Sequence, residues 1–202
     1  MTAFDHPPPY GLLHDWLGPV MTVRLLNFAR TKRKSFEESS VGYGNAKRVD
    51  HSRRRSLRLK NLGPLRDEIA AKTTKALPIM FECLGSARFE LCKIEMELVA
   101  HGDDAFFSRH IDTRPAGVGK PTRRIISAVY YFYASPKGFT GGALRVYSLN
   151  GRAHADIEPT NDTLVFFPSW MPHEVQKVSC PSGRFEASRF AINIWLHDSA
   201  PG

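Results

Sequence analysis

Long apolar runs and paired cysteines are both missing from this sequence of 202 residues. No stretch approaches the roughly 20 apolar residues of a membrane-spanning helix, and the N-terminal residues contain no apolar run of signal-peptide length. The three cysteines, Cys83, Cys92 and Cys180, show no spacing typical of a disulfide framework or a zinc site. We therefore expect a protein of the reduced cytoplasm that is neither exported nor inserted into a membrane.

The sequence also lacks internal repeats, low-complexity tracts and any clear domain boundary. A chain of this length buries a full hydrophobic core without crosslinks. We therefore predict a single domain, residues 1–202, in which an N-terminal helical support region (1–87) precedes a β-rich core (88–197).

Acidic residues are outnumbered by basic ones, which gives a formal net charge of +8. Most of the excess lies in residues 1–60, in clusters at 30–34 and 53–60. Such clusters often bind nucleic acid, but they are equally typical of a solvated basic face. We favour the solvated face and do not expect nucleic acid as a partner.

Two helices are predicted ahead of the core, and each begins near a proline. Pro19 and Pro64 both suit a first helical position, and an apolar stripe of helical period follows each of them. Gly85 is a typical stop signal for the second helix, which Pro78 is expected to kink or to end early.

Strand patterns dominate from residue 88 onward. Polar and apolar side chains alternate in residues 93–98, and turn residues separate this segment from seven further candidates. The predicted core strands are 93–98, 106–112, 125–133, 143–148, 154–158, 163–167, 173–178 and 188–196. Residues 53–60 add an earlier strand that carries Arg53 and Arg55 on one face. Short strands of this kind predict two packed sheets or a flattened barrel, so the expected fold class is mostly β with supporting N-terminal helices.

Candidate metal ligands occur as His-x-Asp pairs, because side chains at i and i+2 of a strand point to the same face. The three pairs are His101–Asp103, His110–Asp112 and His154–Asp156. The first adjoins a glycine and indicates a turn, and the last leaves too little chain before His173 to build barrel walls. We choose His110 and Asp112, with His173 as the third ligand, and name these residues the metal triad. Two histidines and one carboxylate with open positions are typical of non-haem Fe(II) oxygenases.

The last predicted strand carries an arginine among small and aromatic side chains. One face consists of Phe190, Ile192, Ile194 and Leu196, and the other of Arg189, Ala191, Asn193 and Trp195. A buried arginine needs an anionic partner, and its planar fork suits a carboxylate bound through two hydrogen bonds. A structural salt bridge explains Arg189 taken alone. Beside a metal triad, the carboxylate of a cosubstrate is the better interpretation.

Seven segments of the core follow one another in a recognisable order. They are His110–Asp112, Ile126–Tyr131, Gly141–Tyr147, Ile157–Pro159, Leu164–Pro168, His173–Gln176 and Arg189–Trp195. Through these segments, residues 88–197 resemble the double-stranded β-helix (jelly-roll, cupin-like) core of the Fe(II)/2-oxoglutarate dioxygenases, in their prolyl-4-hydroxylase-like branch. Seven matches in order are far more specific than any one of them.

The resemblance implies that the metal triad binds Fe(II) and that 2-oxoglutarate and O2 are cosubstrates. It also implies that Arg189 and Tyr131 hold the distal carboxylate of 2-oxoglutarate, with Asn193 nearby. His101 stands where this family commonly has a tyrosine that contacts the cosubstrate.

The favoured function is hydroxylation of a small molecule, such as an amino acid or a derivative, coupled to oxidative decarboxylation of 2-oxoglutarate. One alternative is a protein prolyl 4-hydroxylase, with a protein substrate. The other is a barrel that binds a ligand or nucleic acid without turnover.

An anionic substrate is expected, because one arginine begins the strand that leads to Tyr131 and two share a face of the earlier strand, where a basic rim would attract anions. Arg124, Arg53 and Arg55 are the candidate substrate residues. Pairing of these arginines with the acidic residues of strand 93–98 is the competing structural explanation. The loop of residues 113–123, rich in glycine and proline, is a candidate lid over the site.

Overall fold

The computed structural model describes residues 8–42, 47–113 and 122–199. Within these ranges the chain forms helices α1 (Pro19–Thr31) and α2 (Leu65–Leu84). The strands are β1 (Gly11–Leu13), β2 (Glu37–Glu38), β3 (Arg54–Arg55), β4 (Leu57–Leu59), β5 (Lys93–His101), β6 (Phe106–His110), β7 (Thr122–Phe132), β8 (Thr140–Gly141), β9 (Leu144–Tyr147), β10 (His154–Ile157), β11 (Thr163–Pro168), β12 (His173–Val175), β13 (Val178–Ser179) and β14 (Arg189–Ser199).

Both helices begin at the predicted prolines. Pro19 is the first residue of α1, where its missing N–H has no partner to lose, and Pro64 is the N-cap residue of α2. Gly85 ends α2 in the left-handed conformation at φ 56°. Pro78 lies inside α2 without ending it, so the predicted early end is wrong. Burial of Met80, beyond the proline, holds the last turns against the core.

Antiparallel strands build two main sheets. The major sheet has the order β1-β11-β7-β14-β5-β4-β2, and the minor sheet has the order β10-β9-β12-β6-β3. A two-stranded sheet of β13 and β8 completes the described strands. The predicted fold class, a jelly-roll core of mostly β structure with supporting N-terminal helices, is confirmed.

The alternating pattern of β14 explains where the core and the site lie. Phe190, Ile192 and Ile194 point into the larger hydrophobic cluster, which also contains buried residues of both helices. Ala191 points the other way, into a smaller cluster that contains Tyr131 and residues of β9 and β11. One face of the major sheet therefore packs under the helices, and the other faces the minor sheet.

Residues 53–60 are not the single strand that the sequence predicts. β3 pairs with β6 in the minor sheet, whereas β4 pairs with β5 in the major sheet. The segment thus crosses from one sheet to the other, and Arg54 and Arg58 are buried while Arg53 and Arg55 are exposed. The N-terminal region accordingly contributes strands to both sheets besides its helices.

Three further expectations concern membranes, cysteines and the lid. Within the described ranges, no helix is long and apolar enough to cross a membrane. The three cysteines are free, with Cys180 buried. Residues 114–121 of the candidate lid lie outside the described residues.

Candidate active site

The metal triad comes together at the ends of two neighbouring strands. His173, the first residue of β12, pairs in register with His110, the last residue of β6. Asp112 follows two residues beyond β6, where its backbone N–H donates to the carbonyl of Ser169 at 2.9 Å. One ligand atom from each member of the triad lies within 4.8 Å of the other two. The predicted residues therefore meet in space, although Asp112 lies after the strand rather than on it.

Backbone carbonyl groups orient both imidazoles through Nδ1. The Nδ1 atom of His110 lies 2.8 Å from the carbonyl oxygen of Ser108, and that of His173 lies 2.9 Å from the carbonyl oxygen of Met171. A carbonyl only accepts, so each Nδ1 carries a proton and each Nε2 is the ring atom left to bind a metal. These Nε2 atoms lie 3.8 and 3.5 Å from the Asp112 carboxylate. Metal-bound histidines are oriented in this way by their outer hydrogen bonds.

A pair of serine hydroxyls fixes the Asp112 carboxylate. Ser127 donates to Oδ2 of Asp112 at 2.7 Å, and the hydroxyls of Ser127 and Ser169 lie 2.9 Å apart. An Nη1 atom of Arg124 lies 3.8 Å from Oδ1 on the other side. Each carboxylate oxygen thus faces groups that keep it in place.

The charge states of the triad suit a divalent cation. Burial lowers the pKa of His110 to about 3, so its imidazole is neutral. Burial alone raises the pKa of Asp112, but the neighbouring imidazoles and Arg124 outweigh it and hold that pKa well below its usual range. The neutral imidazole of His110 and the ionised carboxylate of Asp112 therefore offer a divalent cation one lone pair and one negative charge.

Arg189 lies in the same cavity and is only 1% exposed. Its Nη1 atom lies 3.2 Å from Nδ1 of His101, the residue opposite it on β5, and its guanidinium carbon lies 4.8 Å from the ring centre of Tyr131. Nε and Nη2 of Arg189 and the Tyr131 hydroxyl have no hydrogen-bond partner among the described residues. Unpaired buried donors are costly, and a buried cation most of all. These unpaired donors are therefore suited to an anionic group.

The protonation of the two neighbours agrees with these contacts. Burial, together with Arg189 and Arg54, holds the pKa of His101 well below its usual range, so its neutral ring accepts a hydrogen bond from Arg189. Burial raises the pKa of Tyr131 to about 12, so its hydroxyl stays protonated and can donate.

Gly142 approaches the Arg189 side chain too closely for any other residue. A Cβ atom at this position would lie 2.7 Å from Cδ of Arg189 and 2.8 Å from Cγ2 of Val178, and its φ is +73°. Glycine avoids both the clash and the strain. The Gly141-Gly142 pair of the sequence therefore shapes the wall against which Arg189 lies.

A cavity of about 260 Å³ is lined by both the metal triad and Arg189. Arg124 donates to Glu95 at 2.8 and 3.3 Å, and its guanidinium carbon lies 3.9 Å from the ring centre of Trp195. Arg54 donates to Glu97 at 3.0 Å. Charge pairs thus form part of the cavity wall, beside apolar side chains such as Val129 and Leu144.

The predicted cosubstrate and substrate residues occupy different places. Asn193 lines the cavity and donates to Glu97 at 3.3 Å. Arg53 lies exposed at the cavity, and Arg124 lines it in its pair with Glu95, the competing explanation raised from the sequence. Arg55 lies outside the cavity, and its Nη1 atom is 3.7 Å from a carboxylate oxygen of Asp104. The residue of β3 that points into the cavity is Arg54.

The other two His-x-Asp pairs lie apart from the triad. Asp156 lies on β10 and accepts two hydrogen bonds from Arg145, its partner on the neighbouring strand β9. Asp103 accepts from the backbone N–H of Cys180 at 2.7 Å, while the histidine of its pair faces Arg189. Among the residues that the structure describes, the metal triad is the one group of His, Cys, Asp and Glu side chains found close enough to share a metal ion.

Several cavity residues escaped the sequence analysis. They are Arg54, Arg58, Glu97 and Ser127. For the arginines, the available signal was the second face of residues 53–60, which carries both Arg54 and Arg58. For Ser127, the signal was its spacing of four residues from Tyr131 on one strand, which places both side chains on the same face.

Residues 96–197 match the family model described as the 2OG-Fe(II) oxygenase superfamily. The match spans half of the chain and contains the metal triad, Tyr131 and Arg189. The chain belongs to the 2OG-Fe(II) oxygenase superfamily. The resemblance found in the sequence is thereby confirmed, and so is the expectation of Fe(II), 2-oxoglutarate and O2, which this family uses.

Similar proteins place the chain near the prolyl hydroxylases of this superfamily. An uncharacterized PKHD-type hydroxylase of Synechocystis sp. is 31% identical over 198 residues, which are 94% of this chain and 63% of that protein. A prolyl-4-hydroxylase of Pseudomonas putida has the same fold, with a TM-score of 0.70, 20% identity, and coverage of 96% of this chain and 94% of that chain. A Trichoplax adhaerens prolyl hydroxylase, solved with a hypoxia-inducible factor peptide fragment, has a TM-score of 0.66 and 21% identity, over 94% and 84% of the two chains.

The residues present fit both groups that a 2OG-Fe(II) oxygenase holds. Two imidazole Nε2 atoms and a carboxylate are the donor set that suits Fe(II) with open coordination positions. The unpaired nitrogens of Arg189 and the Tyr131 hydroxyl suit the distal carboxylate of 2-oxoglutarate, because charge-assisted bonds from a planar guanidinium favour that shape.

Proposed function

We propose that this protein is an Fe(II)/2-oxoglutarate-dependent hydroxylase of a small molecule, such as an amino acid or a derivative. The observation that carries the proposal is a pair of incomplete sites in one cavity. The metal triad offers free Nε2 atoms, and the buried Arg189 offers two unpaired nitrogens.

Each residue has a defined part in this proposal. The metal triad holds Fe(II), and Arg189 with Tyr131 binds the distal carboxylate of 2-oxoglutarate. When bound, Fe(II), 2-oxoglutarate and O2 insert one oxygen atom into a substrate C–H bond, and succinate and CO2 are the other products. His101 orients Arg189, and Ser127 orients Asp112. The carboxylate at position 112 favours hydroxylation, because related halogenases replace it to admit a halide.

The size and polarity of the cavity support a small substrate. Its volume of about 260 Å³ lies just below the roughly 300–1,000 Å³ typical of pockets for small molecules. The paired charges of Arg124 with Glu95 and of Arg54 with Glu97 line the wall. Such a wall suits a compact polar molecule.

A metabolite screen tests the proposal. The protein is incubated with Fe(II), 2-oxoglutarate, O2 and a metabolite pool, and mass spectrometry detects a product heavier by one oxygen atom. The product is expected with the wild-type protein and with His154→Ala, and is expected to be absent with His173→Ala. A protein that forms neither a hydroxylated product nor succinate contradicts the proposal.

A protein prolyl 4-hydroxylase is the second candidate, favoured by exposed apolar residues beside the metal triad. Ile111, between two of the ligands, is 45% exposed, and Trp170 is 46% exposed. Trp170 directly follows Ser169, whose backbone carbonyl accepts a hydrogen bond from the backbone N–H of Asp112. Side chains of this kind suit a peptide. New hydroxyproline in cellular proteins upon expression, absent with His173→Ala, would favour this candidate over the small molecule.

A further inference from the structure

Arg58 is a second buried arginine, and among the described residues it has no acidic partner. It is 9% exposed and lies on β4, opposite Val99 of β5. Its Nε atom is buried without a hydrogen-bond partner, and none of its nitrogens forms an ion pair with a described residue. Glu37, the residue opposite it on β2, forms no ion pair with it either. A buried N–H donor without a partner is unfavourable unless an acceptor joins it, and an anion is the acceptor that a guanidinium favours.

The environment of Arg58 is a polar part of the cavity that contains the metal triad. Ser40 lines the same cavity, and its buried hydroxyl has no hydrogen-bond partner in the part of the chain that the structure describes. The nearby carboxylates are already engaged, since Glu97 accepts from Arg54 and Asn193. No described acidic side chain therefore neutralises Arg58.

The anion that suits Arg58 differs from the one that suits Arg189. The two arginines lie on β4 and β14, with β5 between them. Two strand spacings amount to roughly 10 Å. Along β5, Arg58 lies opposite Val99 and Arg189 lies opposite His101, two residues farther on. Because the two backbones are separated in both directions, we do not expect a carboxylate held at Arg189 to pair with Arg58 as well.

We propose that Arg58 and the Ser40 hydroxyl form an anion subsite that receives a carboxylate of the primary substrate. The guanidinium fork binds a carboxylate through two hydrogen bonds, and the hydroxyl donates a third. The inference deepens the proposed function and rests on it for the identity of the primary substrate. The substrate class is thereby narrowed to small organic acids, and the arginine that selects them is Arg58 rather than Arg55 or Arg124.

Acetate serves as the probe, with acetamide as its neutral match. The protein is loaded with Zn(II) and N-oxalylglycine, an unreactive analogue of 2-oxoglutarate, so that the triad and Arg189 are occupied. The N–H signal of the Arg58 Nε atom, assigned from its absence in Arg58→Gln, is followed by NMR. Millimolar acetate is expected to shift this signal, and acetamide is not. An unmoved signal, or an equal response to acetamide, overturns the subsite.

Variants separate the subsite from the rest of the cavity. Because Arg58→Gln has lost the Nε signal, acetate binding to the wild type and to every variant is compared through the backbone N–H signals of Ser40 and of residue 58. Arg58→Gln is expected to weaken acetate binding about tenfold or more, while N-oxalylglycine binds within about twofold of the wild type. Arg30→Gln, at an exposed arginine of α1, is the matched control and binds both normally. Ser40→Ala, expected to weaken acetate several-fold, keeps the test decisive if Arg58→Gln fails to fold. Unchanged acetate binding in folded Arg58→Gln refutes the subsite.

The same experiment distinguishes failure of the subsite from failure of the proposed function. Loading with Zn(II) depends on the metal triad and not on Arg58. Absence of loading contradicts the proposed function, and the acetate titration is then made on the metal-free protein. Normal loading with Zn(II) but no response to acetate refutes the anion subsite and leaves the proposed function standing.

Discussion

Ser127 donates a hydrogen bond of 2.7 Å to the Asp112 carboxylate oxygen that lies 3.5 Å from Nε2 of His173. The serine thus orients a predicted metal ligand without binding the metal itself. Ser127→Ala is expected to weaken Fe(II) binding about 10- to 100-fold, as is usual when the outer partner of a ligand is lost. Metal titration by calorimetry under anaerobic conditions measures the change. Ser35→Ala, at an exposed serine, is the control, and equal affinities of the two variants would refute the role of Ser127.

Arg189→Met tests how much the buried, partly unpaired guanidinium lowers the free energy of unfolding of the ligand-free protein. The variant removes unpaired buried nitrogens, so the ligand-free protein is expected to be about 1 kcal/mol or more stable to unfolding. The affinity for 2-oxoglutarate is expected to fall roughly ten- to hundred-fold, because a bond to a charged group contributes about 1.5–3 kcal/mol. Thermal unfolding with and without 2-oxoglutarate measures both effects. A variant that 2-oxoglutarate stabilises as strongly as the wild type argues against this role.

Gly142→Ala tests the close contact between this glycine and Arg189. The added methyl group meets Cδ of Arg189 at 2.7 Å, so the side chain must move and 2-oxoglutarate must bind more weakly. Gly183→Ala is the matched control, since its φ of +60° imposes a similar backbone strain but no atom lies within 4 Å. Both variants are expected to lose about 1–2 kcal/mol of stability from that strain. Only Gly142→Ala should also lose cosubstrate affinity, and equal affinities would show that the contact is unimportant.

The buried His101 predicts a pH dependence of stability. Burial and two arginines depress its pKa in the folded protein, so the unfolded chain binds more protons once the pH falls below about 6.5. Its contribution to stability is therefore present above that pH and is lost as the pH falls. Between pH 7.5 and pH 5.5, His101→Gln is expected to lose less stability than the wild type in urea unfolding. His154→Gln, on the surface, should follow the wild type, and parallel slopes for all three would contradict the assignment.

Much of this fold was predictable because local signals and burial agree. The alternation of side chains predicted β14, and the prolines predicted the starts of both helices. These local patterns were reliable because β14 and each helix pack one face on the same hydrophobic core. Strand alternation alone does not pair His110 with His173, because the two strands are distant in sequence; their meeting was predicted from the need for a third metal ligand and from the resemblance.

The N-terminal contribution was not predictable from alternation alone. A continuous strand keeps one set of side chains on one face, but the chain changes sheets between β3 and β4. Arg54 and Arg58 therefore point inward, where the sequence favoured Arg53 and Arg55. Hydrogen bonds between distant segments, such as that from Ser127 to Asp112, likewise have no signature in a single sequence.

The most direct test of the metal triad and of Arg189 is the formation of succinate from 2-oxoglutarate without an added substrate. The purified protein with Fe(II) and O2 is expected to form succinate slowly, and His154→Ala is expected to match it. His110→Ala and His173→Ala should form none, and Arg189→Met should need roughly ten- to hundred-fold more 2-oxoglutarate. Succinate formation that persists in His110→Ala, or that is absent from the folded, iron-loaded wild-type protein, would contradict the account.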